Sequence, residues 1–168
     1  MPISAVLVSP SVRGNLFLWY SFLMIAKEIL KQFLTKNALM QLATVDGGSP
    51  WICSLYFVAD EDSNLYWTSA RSRQHSHEIL KNPKVAATVV HDMAHKQAVQ
   101  IAGEAFEVPI GDVERVNRLY ADKFGDKPAR LQEVLANKPE GRAYWVLKPH
   151  TILLWDEVNF PDAPKQSI

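Results

Sequence analysis

The sequence predicts a mainly β domain of the α+β class, an antiparallel barrel of six to seven strands with flanking helices. Two observations carry this expectation. Short runs rich in aromatic and branched residues follow one another on tight turns, of which Asp46-Gly47-Gly48-Ser49 is the strongest, because glycine tolerates the positive φ such turns demand. The order of elements is helix, three strands, short helix, two strands, two helices, two strands, and about seven short antiparallel strands can close on themselves.

The elements are justified in chain order as follows. Phe22, Ile25, Ile29 and Phe33 recur at helical spacing and predict a packed amphipathic helix near 22–35. Pro50 opens a long strand with Trp51, Cys53, Leu55 and Phe57 on one face and Ile52, Tyr56 and Val58 on the other, so both faces are expected to be covered. Glu61-Asp62-Ser63-Asn64 turns the chain into a third strand, Leu65-Tyr66-Trp67-Thr68. A short helix at 72–81 is expected next, with Ser72 as N-cap and Asn82-Pro83 as its stop. KVAATVV and QAVQIAGEAFEV are two further strands. Asp112 can cap a helix whose Val113, Val116 and Tyr120 share a face, and Pro128 opens the following helix. RAYWVLK and TILLWDEV return to strand character as two segments, and the end after Phe160 is expected along the surface.

A chain of 168 residues suits one domain with a substantial core. No repeat or linker divides it: residues 1–21 read as a poorly specified tail and 22–168 as the domain. Lys+Arg and Asp+Glu both number 18, for a formal net charge of 0, which argues against a protein that grips nucleic acid by its backbone. Cys53 is the single cysteine, so an intrachain disulfide and a Cys-rich zinc site are excluded, and a cytoplasmic setting is expected. The apolar run from Leu16 to Ala26 falls short of the roughly 18 residues that span a bilayer, so no membrane span is expected. His91 and His95 stand four apart but in a strand-to-strand turn with no third ligand nearby, and no metal is expected.

The richest stretch chemically is WTSARSRQHSHEILKNPKVAATVV, residues 67–90. Thr68 and Ser69 end an aromatic strand, Ser72 begins a helix, and Arg71, Arg73 and His75 add charge. Hydroxyls, unpaired helix-start N–H groups and arginine forks together suit a phosphate monoester, and aromatic walls suit a nucleotide-like ring. The plainer alternative is a solvated turn with a serine cap.

The block 39–108 resembles the pyridoxamine 5'-phosphate oxidase-like family of FMN-binding split barrels. The matching landmarks are LATVDGGSPWICSLYFV, then LYWTSARSRQHSHEILKNPKVAATV, then VQIAGEAFEV, with a strand running into Gly103. The resemblance implies that Trp67, Thr68, Ser69, Arg73, Gln74 and His75 hold the FMN phosphate. It implies that backbone near Cys53, Ser54 and Leu55 faces the flavin ring, that Gln97 contacts the ring, and that Trp145 reaches this site or a partner's. It further implies a homodimer with the cofactor at its interface, and an FMN-dependent oxidoreductase acting on a small-molecule substrate or electron donor.

Two departures qualify this. The family often places Arg or Lys on the second strand, where this chain has Cys53 and Val58, so phosphate charge would fall on Arg71, Arg73 and His75. The Arg-x-His ending of the true oxidase is missing from LLWDEVNFPDAPKQSI, so pyridoxamine phosphate is not the expected substrate. No catalytic residue can be assigned. A non-catalytic flavin-binding or redox-sensing module, a split barrel holding haem or a deazaflavin, and a cofactor-free interaction domain are the alternatives.

Overall fold

The computed structural model describes residues 15–90 and 96–168, with side chains in the first helix described from Phe22 onward. His91 and His95 lie outside the described residues. Helix α1 (Asn15–Lys36) leads into strands β1 (Leu39–Asp46), β2 (Ser49–Ala59) and β3 (Leu65–Ala70). Helix α2 (Gln74–Lys81) precedes β4 (Lys84–Val90) and β5 (Gln97–Glu107). Helices α3 (Val113–Phe124) and α4 (Pro128–Leu135) then precede β6 (Arg142–Asp156) and a short β7 (Lys165–Ser167).

The strands form an antiparallel sheet in the order β3-β2-β1-β4-β5-β6-β7, and an additional β3–β6 pairing closes the first six into a barrel. The closure runs from Leu65 opposite Leu147 to Ala70 opposite Arg142. Inside, Trp67, Trp145, Phe57, Met40, Leu42 and Leu154 are fully buried, and Ala26, Leu30, Phe33 and Leu34 of α1 join the same core. A second, smaller core lies on the outer surface, where Val113, Val116 and Tyr120 of α3 and Val134 of α4 cover Val58, Tyr66, Tyr144 and Val146.

Several elements differ from the sequence expectation. Helix α1 begins at Asn15 rather than near 22, and its buried stripe is Ala26, Leu30, Phe33 and Leu34; Ile25 is 54% exposed. Of the expected stripe Phe33 is buried and Ile29 packs against the core, while Phe22 and Ile25 are exposed, because the segment is apolar on more than one face. Helix α2 begins at Gln74 with Arg73 at its N-cap and no side-chain cap, so Ser72 does not cap it. Asp112 holds the N-cap position of α3 without a side-chain hydrogen bond. The outer face of β2 is covered at Val58 but open at Ile52 and Tyr56, each 63% exposed. The end after Phe160 adds β7 as an edge strand on β6.

The two segments expected at the C-terminal side are one strand of 15 residues, β6. Pro149 lies between the two expected segments; the register with β5 shifts between Ala102 and Gly103, opposite Pro149, and a bulge is a place where a strand accepts proline. Glycine is required there: a Cβ on Gly103 would lie 2.2 Å from the Lys148 carbonyl oxygen. Gly103→Ala should therefore cost at least about 2 kcal/mol of stability. Urea unfolding measures this, and an unchanged midpoint would contradict the close approach.

Lys123 ties α3 to the end of α1. Its Nζ donates to the carbonyls of Leu34 (3.0 Å) and Asn37 (2.5 Å) and lies 4.3 Å from the Phe57 ring centroid. Burial pulls its ammonium from 10.5 down to about 8. Between those values the unfolded chain holds more protons than the folded one, so this group makes stability rise with pH across that window. Relative to a Lys123→Met variant, the natural chain should gain unfolding free energy as pH is raised through it. Parallel stability curves for the two proteins would refute the assignment.

Candidate functional site

Strand β3 separates its side chains by face. Leu65, Trp67 and Ser69 point into the barrel, while Tyr66, Thr68 and Ala70 point outward, toward α3 and α4. Where the helices stop covering the sheet, a cleft of about 590 Å³ remains. Ser54, Leu55 and Tyr56 of β2, Thr68 of β3 and Arg142 of β6 form its floor; Tyr120, Phe124, Lys127, Ala129, Arg130 and Glu133 form its wall. This volume lies within the usual range for small-molecule and cofactor sites.

The aromatic wall is held in place. Tyr120 is buried, and its hydroxyl donates to the carbonyls of Tyr56 (3.0 Å) and Tyr66 (3.3 Å). Burial pushes its pKa well above the usual tyrosine value, so it is a fixed hydrogen-bond donor rather than an acid or base. Phe124 meets Tyr56 edge-on at 5.9 Å between centroids, and the Arg130 guanidinium lies 4.9 Å from the Tyr120 ring centroid. On the floor, Arg142 Nε donates to Glu133 at 2.9 Å.

Thr68 Oγ1 is buried and has no hydrogen-bond partner among the described residues. Buried polar atoms are nearly always satisfied, so an orphan hydroxyl that lines a cleft marks a place for a ligand or water. The donor set around it consists of hydroxyls, guanidiniums and an ammonium, which suits an oxyanion. An aromatic ring joined to an oxyanion would find a partner for each part here.

The site residues expected from sequence are dispersed by the fold. Thr68, Ser54 and Leu55 line the cleft, and Cys53 is half-buried against the barrel core. Burial, and then the nearby Glu78 carboxylate, push the Cys53 thiol up, which disfavours the thiolate. Trp67 and Trp145 are 0% exposed and lie across from each other inside the barrel. Ser69 and His75 form a buried pair, with His75 Nε2 2.8 Å from Ser69 Oγ, and burial followed by the Arg73 charge lowers the His75 pKa below 6.5. Arg73 is exposed on the turn, and Gln74 donates to Glu78 at 2.9 Å. Gln97 starts β5 opposite Asp156, to which it donates at 2.9 Å, at the end of β6 remote from Arg142.

Arg71 has a different occupation. Its Nε and Nη2 donate to the Glu107 carboxylate (2.8 and 2.5 Å), and Nη2 and Nη1 also donate to Asn137 Oδ1 (2.8 Å) and the Lys138 carbonyl (2.6 Å). It clamps the end of β3 to the end of β5 and to the α4–β6 connection.

Sequence reasoning missed Lys127, Arg130, Glu133 and Arg142. Lys127 is the N-cap of α4, Arg130 and Glu133 lie within that helix, and Arg142 starts β6. The available signal was the i, i+4 pair Tyr120 and Phe124 just before a Lys-Pro-Ala-Arg run, an aromatic face continuing into cations.

Comparison with known proteins agrees on the fold. No curated protein matches the chain. Among solved structures, a heme binding protein from Mycobacterium smegmatis has a TM-score of 0.67 at 14% identity, covering 85% of this chain and 57% of its own. A protein of unknown function from Agrobacterium tumefaciens str. C58 has a TM-score of 0.62 at 16% identity, with 88% of this chain and 60% of the other covered. A Listeria innocua protein described as a candidate pyridoxamine 5'-phosphate oxidase has a TM-score of 0.60 at 20% identity, covering 77% and 97%. This chain thus spans less than two thirds of the first two proteins. The family model for pyridoxamine 5'-phosphate oxidase matches residues 26–156, from the buried part of α1 to the end of β6. With the closed six-stranded barrel, that match places the chain in the pyridoxamine 5'-phosphate oxidase-like family.

Proposed function

We infer that the protein is an FMN-dependent oxidoreductase whose cofactor binds in the cleft between the β2–β3–β6 face and helices α3 and α4. The observation that carries this reading is the orphan Thr68 hydroxyl, buried in a cleft with aromatic and cationic walls. FMN would supply the redox chemistry, accepting a hydride from a donor and passing electrons to a small acceptor or to oxygen. The chain's own part is to bind and orient. Tyr56, Tyr120 and Phe124 offer flat apolar surface, the cleft cations offer charge, and backbone at Ser54 and Leu55 edges the floor. The reading assigns no general acid or base.

Homodimer formation belongs to the same reading. The open face carrying Ile52 continues over Ala43, Ala86, Ala102 and Leu153, an apolar depression of about 360 Å³ that a second copy would cover. Gln97, remote from the cleft of its own chain, would then be available to a partner's cofactor.

Haem is the rival, because a structurally similar protein binds it. Among the described residues no histidine, cysteine or methionine lines the cleft, though Tyr56 and Tyr120 do. An absorption spectrum of the purified protein, taken before and after excess FMN and desalting, separates the readings. Flavin bands near one per chain are expected; a Soret band, or a protein that stays colourless, would sink the FMN reading.

The Arg71 clamp yields a second expectation. Arg71→Ala strands the Glu107 carboxylate and should cost about 1–3 kcal/mol in unfolding free energy, whereas Arg73→Ala, at an exposed position, should leave stability within about 0.5 kcal/mol. Equal stabilities in urea would show that Arg71 is free for ligand instead.

A further inference from the structure

A phosphate monoester carries close to two negative charges, and the cations that sequence assigned to it are largely unavailable. Arg71 is consumed by Glu107, Asn137 and the Lys138 carbonyl. His75 is buried against Ser69, and that burial disfavours its charged form. Strand β2, where the family often carries a cation, has none from Ser49 to Ala59. Of the expected set only Arg73 remains exposed.

The cleft contains its own replacement. Arg142 stands opposite Ala70 in the β3–β6 register, on the same outward face as Thr68 two residues earlier. Arg130 rises from α4 and is steadied over Tyr120, whose hydroxyl is anchored to two strand carbonyls. Lys127, Arg130 and Arg142 against Glu133 leave two positive charges in the cleft, the complement of a phosphate dianion. The Glu133 carboxylate already sits on the Arg142 guanidinium, filling the place that a ligand's anionic oxygen would take. Their side chains are 59% and 40% exposed, so the pair is weak and a multiply charged oxyanion can displace it.

We propose that Arg142 and Arg130, with Thr68 Oγ1 as the neutral donor, hold the phosphate of the cleft's ligand, and that Glu133 is an internal competitor that sets its affinity. This rests on the flavin reading above and replaces the cation missing from β2 with cations from α4 and β6. Arg73 at the turn is then peripheral to phosphate binding.

The test compares FMN with riboflavin, which has the same ring system and no phosphate, by quenching of flavin fluorescence at equilibrium. The natural chain should bind FMN at least about 10-fold more tightly than riboflavin, since charge-assisted contacts to phosphate are among the stronger hydrogen bonds. Arg142→Gln and Arg130→Gln should each lose about 10-fold for FMN and leave riboflavin unchanged, while Arg73→Gln should alter neither. Glu133→Gln should tighten FMN several-fold and not riboflavin, a gain that misfolding cannot produce. Loss of FMN preference in Arg73→Gln but not in Arg142→Gln would overturn the proposal and leave the flavin reading intact, as would equal affinity of the natural chain for FMN and riboflavin. A chain that binds neither flavin would overturn both.

Discussion

The architecture depends on one strand being long and bent. β6 pairs with β5 along most of its 15 residues, with β3 over its first six and with β7 near its end. Without the β3–β6 pairing the sheet would be open, with β3 as an exposed edge. Closure requires the strand to curve, and it does so where Pro149, which has no N–H to give, faces Gly103, which has no Cβ to clash. The same closure sets Arg142 and Tyr144 beside Ala70 and Thr68, so the element that completes the barrel also completes the cleft floor.

Much of the fold was legible because strand signals are local. The Asp46-Gly47-Gly48 turn, with both glycines at positive φ, delivers β1 and β2 in register from Asp46–Ser49 to Leu39–Tyr56. Val113, Val116 and Tyr120 marked the buried face of α3 correctly. The unity of β6 was not legible, because Pro149 between its two halves is accommodated by a partner residue 46 positions earlier in the chain, which no reading of one segment reveals. The phase of α1 was likewise undetermined, since Phe22, Met24 and Ile25 are as apolar as the residues the barrel buries.

The site was less legible for a related reason. WTSARSRQH reads as a continuous patch of phosphate chemistry, but a strand alternates its faces and a helix start rotates them. Trp67 and Ser69 go into the barrel, Thr68 goes out, and His75 turns back under α2 to meet Ser69. Under α2 the polar groups answer one another: Glu78 accepts from Thr44 and Gln74, and Ser76 donates to the Ala70 carbonyl. These residues close the mouth of the barrel with satisfied hydrogen bonds, as buried polar groups must. Sequence proximity collected two populations, one structural and one facing the cleft, and only the pleat separates them.

Charge gives the last constraint. The chain is neutral overall, so it projects little long-range field toward a polyanion such as nucleic acid. Several of its cations are committed locally: Lys31 to Glu61, Lys81 to Asp46, Lys96 to Glu157, and Arg71 to Glu107. An unbalanced positive charge survives at the cleft, where three cations face one carboxylate beside an aromatic wall and an unsatisfied hydroxyl. A small ligand that joins a flat ring system to a compact anion meets both surfaces at once, whereas an extended anion meets only the cations. The local excess within a neutral protein therefore selects by size and shape as well as by charge.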